Sequence, residues 1–91
     1  MRWAPDALDD LERLYDFIAT HSADAAQNAI ETILSAATTL CDFPEAGRPR
    51  ASVAQFRELP VRFGVKGYVV RYRIHGDEVI IIRVWHTRED R

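Results

Sequence analysis

The sequence predicts an α+β fold: a short N-terminal strand and an antiparallel helical hairpin, packed on a small antiparallel β-sheet. Apolar residues recur every three or four positions as far as about residue 41, the period of amphipathic helices. After residue 56 they alternate with polar residues, the period of half-buried strands. Helices and strands that follow one another in separate blocks are typical of the α+β class. The 91 residues are predicted to form one domain, 1–91.

The first element is a short strand at residues 2–4, followed by a helix from about Pro5 to Thr20. Proline suits the first helical position, where its missing N–H has no partner to lose. The acidic side chains Asp6, Asp9 and Asp10 fall in the first turns, where the positive end of the helix favours them. Helical spacing predicts one apolar face, which consists of Leu8, Leu11, Leu14, Tyr15 and Ile18.

A second helix is predicted from an N-cap at Ser22 to about Cys41, with Asp24 in its first turn. Its apolar stripe is rich in alanine, which permits close packing, and consists of Ala26, Ala29, Ile30, Ile33, Leu34, Ala37 and Leu40. Residues 43–49 contain two prolines and a glycine and should end the helix. The three-residue connection at 21–23 is so short that the two helices should pack antiparallel.

Three strands are predicted in the second half of the chain. Residues 56–59 form a short one, and residues 68–74 alternate as a half-buried strand should. A turn at 75–77 contains Gly76 and leads to a last, more deeply buried strand at 79–85, rich in β-branched residues. Strands joined by such a short turn are antiparallel. We expect this last strand to be central, with Trp85 packed in the core or covered by a partner.

Charge is divided unevenly along the chain, although the net charge is only −2. Residues 1–46 carry two basic and nine acidic residues, a balance of −7, whereas residues 47–91 carry ten basic and five acidic residues, a balance of +5. All basic residues except Lys66 are arginines, which suit carboxylate, phosphate and stacking contacts. The basic half is therefore the expected contact for an acidic partner, with a solvated charged face as the alternative.

Several function classes are excluded by what the sequence lacks. The single cysteine, Cys41, permits no disulfide within the chain and suits a reducing cytoplasm. No secretory signal and no apolar run of about 20 residues is present, so no membrane association is expected. The histidines His21, His75 and His86 have no metal-ligand spacing, and no glycine-rich phosphate loop occurs. No cofactor and no metal site are predicted.

The chemistry-bearing candidates lie on the Arg-rich strands. In a regular strand, Val84, His86 and Arg88 share one face. Histidine could act as a general acid or base on RNA while arginines stabilise phosphate charge, a set consisting of His86, Arg57, Arg71, Arg83 and Arg88. The alternative is a hydrogen-bonded strand end at His86, with arginines that keep the sheet hydrated.

These residues resemble a known family. Trp3-Ala4, ALDDLERLYDFI at 7–18, FPEAGR at 43–48, REL at 57–59, GYVVRYRI at 67–74 and RVWHTR at 83–88 are similar to the RelE/ParE toxins of bacterial type II toxin–antitoxin systems. The resemblance covers nearly the whole chain in the right order. It implies a helical hairpin on a small antiparallel sheet. It also implies an antitoxin, encoded alongside, that wraps and neutralises the toxin, so that the two form a hetero-oligomer which contacts operator DNA only through the antitoxin.

The family has two functional branches, and the residues favour ParE, which inhibits DNA gyrase without nuclease activity. The net charge of −2 does not suit entry into a ribosomal RNA site. YoeB-like ribonucleases have an arginine in the middle strand just before an apolar-apolar-Tyr segment, whereas the corresponding region of this chain, Tyr68–Tyr72, has a valine in that place. The last residues resemble the H-x-R-x-D ending of ParE-like chains and lack the terminal tyrosine of those ribonucleases. Against this, His86 aligns with the acid–base histidine of YoeB-like members.

Three hypotheses follow from the resemblance. The first is a gyrase inhibitor, with no catalytic residue and target-binding residues Arg83, His86 and Arg88. The second is a RelE-like, ribosome-dependent mRNA endoribonuclease that uses the arginine–histidine set above. The third is an inactive homologue that serves as an antitoxin-binding module. In each case the expected antitoxin-binding residues, which form the apolar groove around helix 1, are Leu11, Leu14, Tyr15 and Ile18.

Overall fold

The computed structural model describes residues 1–50 and 53–89, and for residues 50, 53 and 54 it describes the backbone alone. Asp90 and Arg91, which belong to the ParE-like ending, lie outside the described residues. In chain order the elements are β1 (Arg2–Trp3), α1 (Pro5–Ala19), α2 (Ala23–Thr39), β2 (Arg48–Arg50), β3 (Val53–Phe63), β4 (Lys66–His75) and β5 (Glu78–His86). The α+β class and the helical hairpin are confirmed. Neither helix is long and apolar enough to cross a membrane.

The sheet has five strands in the order β1-β5-β4-β3-β2 and is mixed, not wholly antiparallel. The two-residue strand β1 pairs parallel with β5, Arg2 opposite Ile80 and Trp3 opposite Ile81. The prediction that the last strand is central was wrong, because β4 holds that position. After α2 the chain forms β2, an edge strand that was not predicted. The strands β3, β4 and β5 then follow in order across the sheet, and β5 lies beside β1.

Local signals placed the helix ends correctly. Ser22 caps α2, since its side-chain hydroxyl accepts the N–H of Ala25 at 3.1 Å. At the start of α1, Ala4 provides no side-chain cap and Pro5 follows it, as the sequence predicted. The predicted apolar face of α1 needs correction, because Leu8 and Tyr15 are exposed whereas Ala7 and Asp10 are buried. The buried face is therefore rotated towards β5, and it includes a carboxylate.

The core lies between the helices and one face of the sheet. Its largest fully buried side chains come from α2, β4 and β5 and from the residue after α2, and are Tyr72, Ile33, Leu40, Ile81, Val70 and Val84. Trp85 is buried as well, but on the opposite face, where the Arg71 guanidinium lies 4.9 Å from its ring centroid. The expected burial of Trp85 is confirmed, although the residue lies outside the main cluster of core side chains.

Candidate functional site

The open edge of β5 is closed by side chains from α1. Among the described residues, β1 covers this edge only at Ile80 and Ile81. Further along, the Val84 N–H donates to the Asp10 carboxylate at 2.8 Å, and Arg13 donates to the Val84 carbonyl oxygen at 3.3 Å. These two side chains satisfy the backbone groups that a neighbouring strand would otherwise pair. The helix is thus attached to the strand that leads into His86.

Asp10 is the centre of a charged cluster that also holds the end of the chain. Its carboxylate accepts from Arg83 Nε at 2.8 Å and Nη2 at 3.1 Å, and from Arg13 at 3.2 Å. Arg13 also forms an ion pair with Glu89, which follows β5. Burial alone would raise the pKa of Asp10, but hydrogen bonds from Arg83, Val84 and Arg13 together hold that pKa below its usual value. The hydrogen bond between Asp10 and Arg83 raises the pKa of Arg83.

A groove of about 590 Å³ opens between α1, the start of β4 and the end of β5. We call this the α1 groove. One wall is apolar and comes from α1, whereas the other carries Lys66, Tyr68, His86 and Arg88. The complete lining is Arg13, Leu14, Phe17, Ile18, Lys66, Tyr68, His86, Arg88 and Glu89. An apolar wall opposite a basic wall fits an amphipathic, acidic segment.

His86 is held in a defined orientation at this groove. Its Nδ1 accepts the backbone N–H of Arg88 at 3.0 Å, so a neutral ring carries its proton on Nε2. The ring lies edge-on to Tyr68, with the two centroids 5.3 Å apart. Burial raises the pKa of Tyr68, and the negative charge of Glu89 raises it further, so the phenol stays protonated at neutral pH. The groove thus contains an imidazole and a protonated phenol, which can donate a hydrogen bond.

The structure separates the arginines that the sequence grouped with His86. Arg57 donates to the backbone carbonyl oxygens of Glu45 at 3.2 Å and Gly47 at 2.8 Å. Arg71 donates twice to one oxygen of Glu58, at 3.0 and 2.8 Å, on the face of the sheet away from the helices. The Arg83 side chain donates to Asp10 at the edge of β5. Only Arg88 lies in the groove with His86, in the turn that follows β5.

Strand alternation explains part of this separation. Arg57 lies opposite Tyr72 and Glu58 lies opposite Arg71, so Arg57 and Arg71 point to opposite faces of the sheet. The bulge between β4 and β5, whose extra residue is Ile82, ends before Arg83, and the pairing from Arg83 to His86 is regular. Val84 and His86 therefore share one face, as the sequence predicted. Arg88 lies beyond the strand end, in the turn that lines the groove.

The four residues proposed for antitoxin binding are only partly together. Leu14 and Ile18 line the groove, Leu11 packs against the core, and Tyr15 is exposed outside the groove lining. Phe17, which was not selected from the sequence, lies at the groove with 70% of its surface exposed. Its position three residues after Leu14 was the available signal, because that spacing places two side chains on neighbouring turns of one face.

Comparison with known proteins is consistent across sequence and structure. The family described as "ParE toxin of type II toxin-antitoxin system, parDE" matches residues 1–91. The chain belongs to the ParE toxin family. "Toxin RelE3" of Caulobacter vibrioides is 39% identical to this toxin over 87 residues, 96% of this chain and 92% of the relative. "Toxin RelE2" of the same organism is 38% identical over 85 residues, 93% of this chain and 91% of the relative.

A solved structure has the same fold. It is described as "Chromosomal ParDE TA system from P. aeruginosa" and matches this toxin with a TM-score of 0.78 and 25% identity. The match covers 93% of this chain and 91% of the other. Both ParE and RelE occur among the names of the matching proteins, so the names establish a type II toxin of the ParE/RelE family without separating its two targets.

Proposed function

We propose that this toxin inhibits DNA gyrase by binding it, is neutralised by an antitoxin seated in the α1 groove, and does not cleave RNA. The observation that carries this proposal is the pairing of the strand arginines. A ribonuclease must keep cationic side chains available for the charge that develops on phosphate. Here Arg57, Arg71 and Arg83 donate to protein carbonyl or carboxylate oxygens instead.

Releasing these arginines would be costly. Only 3% of the surface of Asp10 is exposed. Moving Arg83 to a phosphate would therefore leave part of the buried negative charge of Asp10 without a partner. Arg71 is held by Glu58 and covers Trp85. Both side chains therefore stabilise the fold, and a protein that needs them in place is better suited to binding a protein surface than to RNA cleavage.

The ribonuclease remains the second candidate because of one specific arrangement. Lys66, Arg88 and Tyr68 surround His86 in the α1 groove, and among the described residues neither Lys66 nor Arg88 forms an ion pair. In such a set the histidine would transfer the proton and the two cations would stabilise the charge on a phosphate. The antitoxin seated in the same groove would then block the active site directly.

The antitoxin proposal follows from the lining of the groove. Leu14, Phe17 and Ile18 provide an apolar wall for a helix or an extended segment, and the opposite wall is basic. An acidic amphipathic segment would contact both walls at once. Such an occupant would cover His86 and Arg88, the two predicted target-binding residues that the groove contains, which explains neutralisation under either target hypothesis.

The deciding experiment is induction of the toxin without antitoxin, with labelled thymidine and labelled methionine followed in one culture. The gyrase proposal expects DNA synthesis to stop first, and purified toxin to inhibit DNA supercoiling. An earlier stop of protein synthesis, with cleaved mRNA on ribosomes, would establish the ribonuclease instead. His86→Gln separates the two independently, because it should abolish cleavage by orders of magnitude but weaken a binder much less. Unaffected growth would support the inactive-module hypothesis.

A further inference from the structure

The segment between α2 and β2 has a second surface that the proposed function does not use. We call residues 42–47 the Phe43 loop. Phe43 is 68% exposed, yet the loop around it is fixed in place by the core. We propose that the Phe43 loop is a rigid anchor for the toxin's target protein, with Phe43 inserted into an apolar pocket that has a basic rim. This inference rests on the proposed function, since it names a contact surface for the target.

The loop is fixed by hydrogen bonds at its backbone. The Tyr72 hydroxyl donates to the Pro44 carbonyl oxygen at 2.7 Å and accepts the Gly47 N–H at 2.8 Å. Arg57 donates to the carbonyl oxygens of Glu45 and Gly47. The Phe43 N–H donates at 2.9 Å to the backbone carbonyl oxygen of Thr39, the last residue of α2. Together with a hydrogen bond from the Asp42 N–H to the Thr39 carbonyl oxygen at 3.1 Å, these contacts connect the loop to β3, β4 and α2.

Close packing also limits the loop to one position. A Cβ on Gly47 would lie 2.6 Å from Cε1 of Tyr72, so only glycine permits this approach. Tyr72 itself is completely buried and cannot move aside. Pro44 restricts the backbone of Phe43, because a residue before proline is confined to extended conformations. The exposed phenyl ring is therefore presented from a backbone that is already ordered.

An ordered, exposed aromatic side chain has the properties of a binding hot spot. Aromatic anchors that enter a pocket provide most of the energy of many protein interfaces. Because the backbone is ordered before binding, association loses less conformational entropy than it would with a flexible loop. The loop also borders a shallow hollow of about 470 Å³, lined by residues 42–46, that could receive a side chain of the partner.

Charge indicates which partner fits. Asp42 and Glu45 flank Phe43, are exposed, and belong to the acidic half of the chain, so the surface around the pocket should be basic. The α1 groove has the opposite preference, because Lys66 and Arg88 favour an acidic occupant. Tyr72 holds the Phe43 loop and Tyr68 lines the α1 groove. These tyrosines are four residues apart on β4, so their Cα atoms are roughly 13 Å apart. Their opposite charges favour two different contacts: the antitoxin in the groove, where it covers the predicted target contacts His86 and Arg88, and a basic part of the target on the loop.

Phe43→Ala is the test, with Val65→Ala as the matched control, since Val65 is a fully exposed apolar residue in the β3–β4 turn. Both variants should fold with near-native melting temperatures and bind the antitoxin encoded alongside. We expect Phe43→Ala to weaken inhibition of purified gyrase, and growth arrest on induction, by at least about tenfold. Val65→Ala should behave as the wild type does. Glu45→Lys should also weaken inhibition, because it would repel a basic rim.

Several separate results would overturn the inference. Phe43→Ala with full toxicity would show that the loop does not contact the target, and a Glu45→Lys variant that binds better would show that the pocket rim is acidic. Loss of antitoxin binding in Phe43→Ala would assign the loop to the antitoxin, and loss of a toxin dimer would assign it to a second copy. Wild-type toxin that arrests growth without inhibiting gyrase would overturn the proposed target alone, because growth arrest still reports on Phe43. Wild-type toxin that leaves growth unaffected would overturn both proposals.

Discussion

Asp10 and Arg83 form a two-point ion pair that joins the first helix to the last strand across 73 positions of sequence. The distances are 2.8 Å from Nε to Oδ2 and 3.1 Å from Nη2 to Oδ1. Because the same carboxylate also accepts the Val84 N–H, it fixes the strand edge and not only the side chain of Arg83. His86 lies two residues beyond that attachment point.

Asp10→Asn should destabilise the toxin, because the amide nitrogen that replaces one carboxylate oxygen cannot accept the hydrogen bonds made to that oxygen, and the negative charge paired with Arg83 is lost. Breaking a buried pair costs about 3–5 kcal/mol, but a third of the Arg83 side chain is exposed, so we expect roughly 2 kcal/mol. Urea unfolding measures this loss. The matched control is Asp9→Asn, an exposed carboxylate on the same helix, which should change stability by less than about 0.5 kcal/mol. Equal losses in the two variants would remove the special role of Asp10.

The contribution of Asp10 to stability should depend on pH. Its pKa in the folded toxin lies below the ordinary value of 3.8, so the unfolded chain takes up its proton first as the pH falls. The stabilisation is therefore complete above about pH 5, decreases below about pH 4, and is lost as the pH passes the folded pKa. Unfolding free energies of wild type and Asp10→Asn, compared from pH 7 to pH 3, should converge at low pH. A constant difference over that range would contradict the lowered pKa.

Tyr72→Phe should destabilise the Phe43 loop and the whole fold. The variant keeps the ring in the core but removes the hydroxyl that pairs with Gly47 N–H and the Pro44 carbonyl oxygen. A buried polar group left without a partner costs about 1–3 kcal/mol, so a loss near the middle of that range is expected. Chemical denaturation provides the measurement. Tyr15→Phe is the control, because that tyrosine is exposed and its change should have little effect.

Phe17→Ala should weaken antitoxin binding by about tenfold or more without unfolding the toxin. The side chain is mostly exposed in the free toxin, so the fold loses little, whereas a bound segment would cover it. Calorimetric titration of the toxin with the antitoxin encoded alongside measures the change. Leu34→Ala is the control, since this partly exposed apolar residue on α2 lies outside the groove lining. Equal affinities for both variants would place the antitoxin elsewhere.

Salt should distinguish the two walls of the α1 groove. Exposed charges such as Lys66 and Arg88 are screened by salt, whereas apolar contacts with Leu14 and Ile18 are not. If apolar contacts dominate, the toxin–antitoxin complex should survive 1 M salt but dissociate when Ile18 is replaced by Asp. Size-exclusion chromatography at low and high salt is the measurement. The reverse pattern would show that the basic wall provides most of the affinity.

The local structure of this toxin could be predicted from short stretches of its sequence. Pro5, Ser22 and Gly76 act on their own neighbourhood, and the change from a helical to a strand period is visible in any short window. These signals were sufficient for the α+β class, the helical hairpin and the last β-hairpin. Together with the motif order they were also sufficient for the family.

The sheet order, the parallel pairing of β1 and the environment of each charged side chain depend on how distant segments pack, and they are visible only in the folded toxin. Asp10 looks from its sequence position like an ordinary polar residue in the second turn of a helix, and its burial depends on where β5 passes. Arg57, Arg71 and Arg83 look equivalent in sequence but have different partners, because a bulge, a strand edge and a distant loop lie beside them. Ion pairs between distant residues depend on packing geometry, which no local periodicity contains.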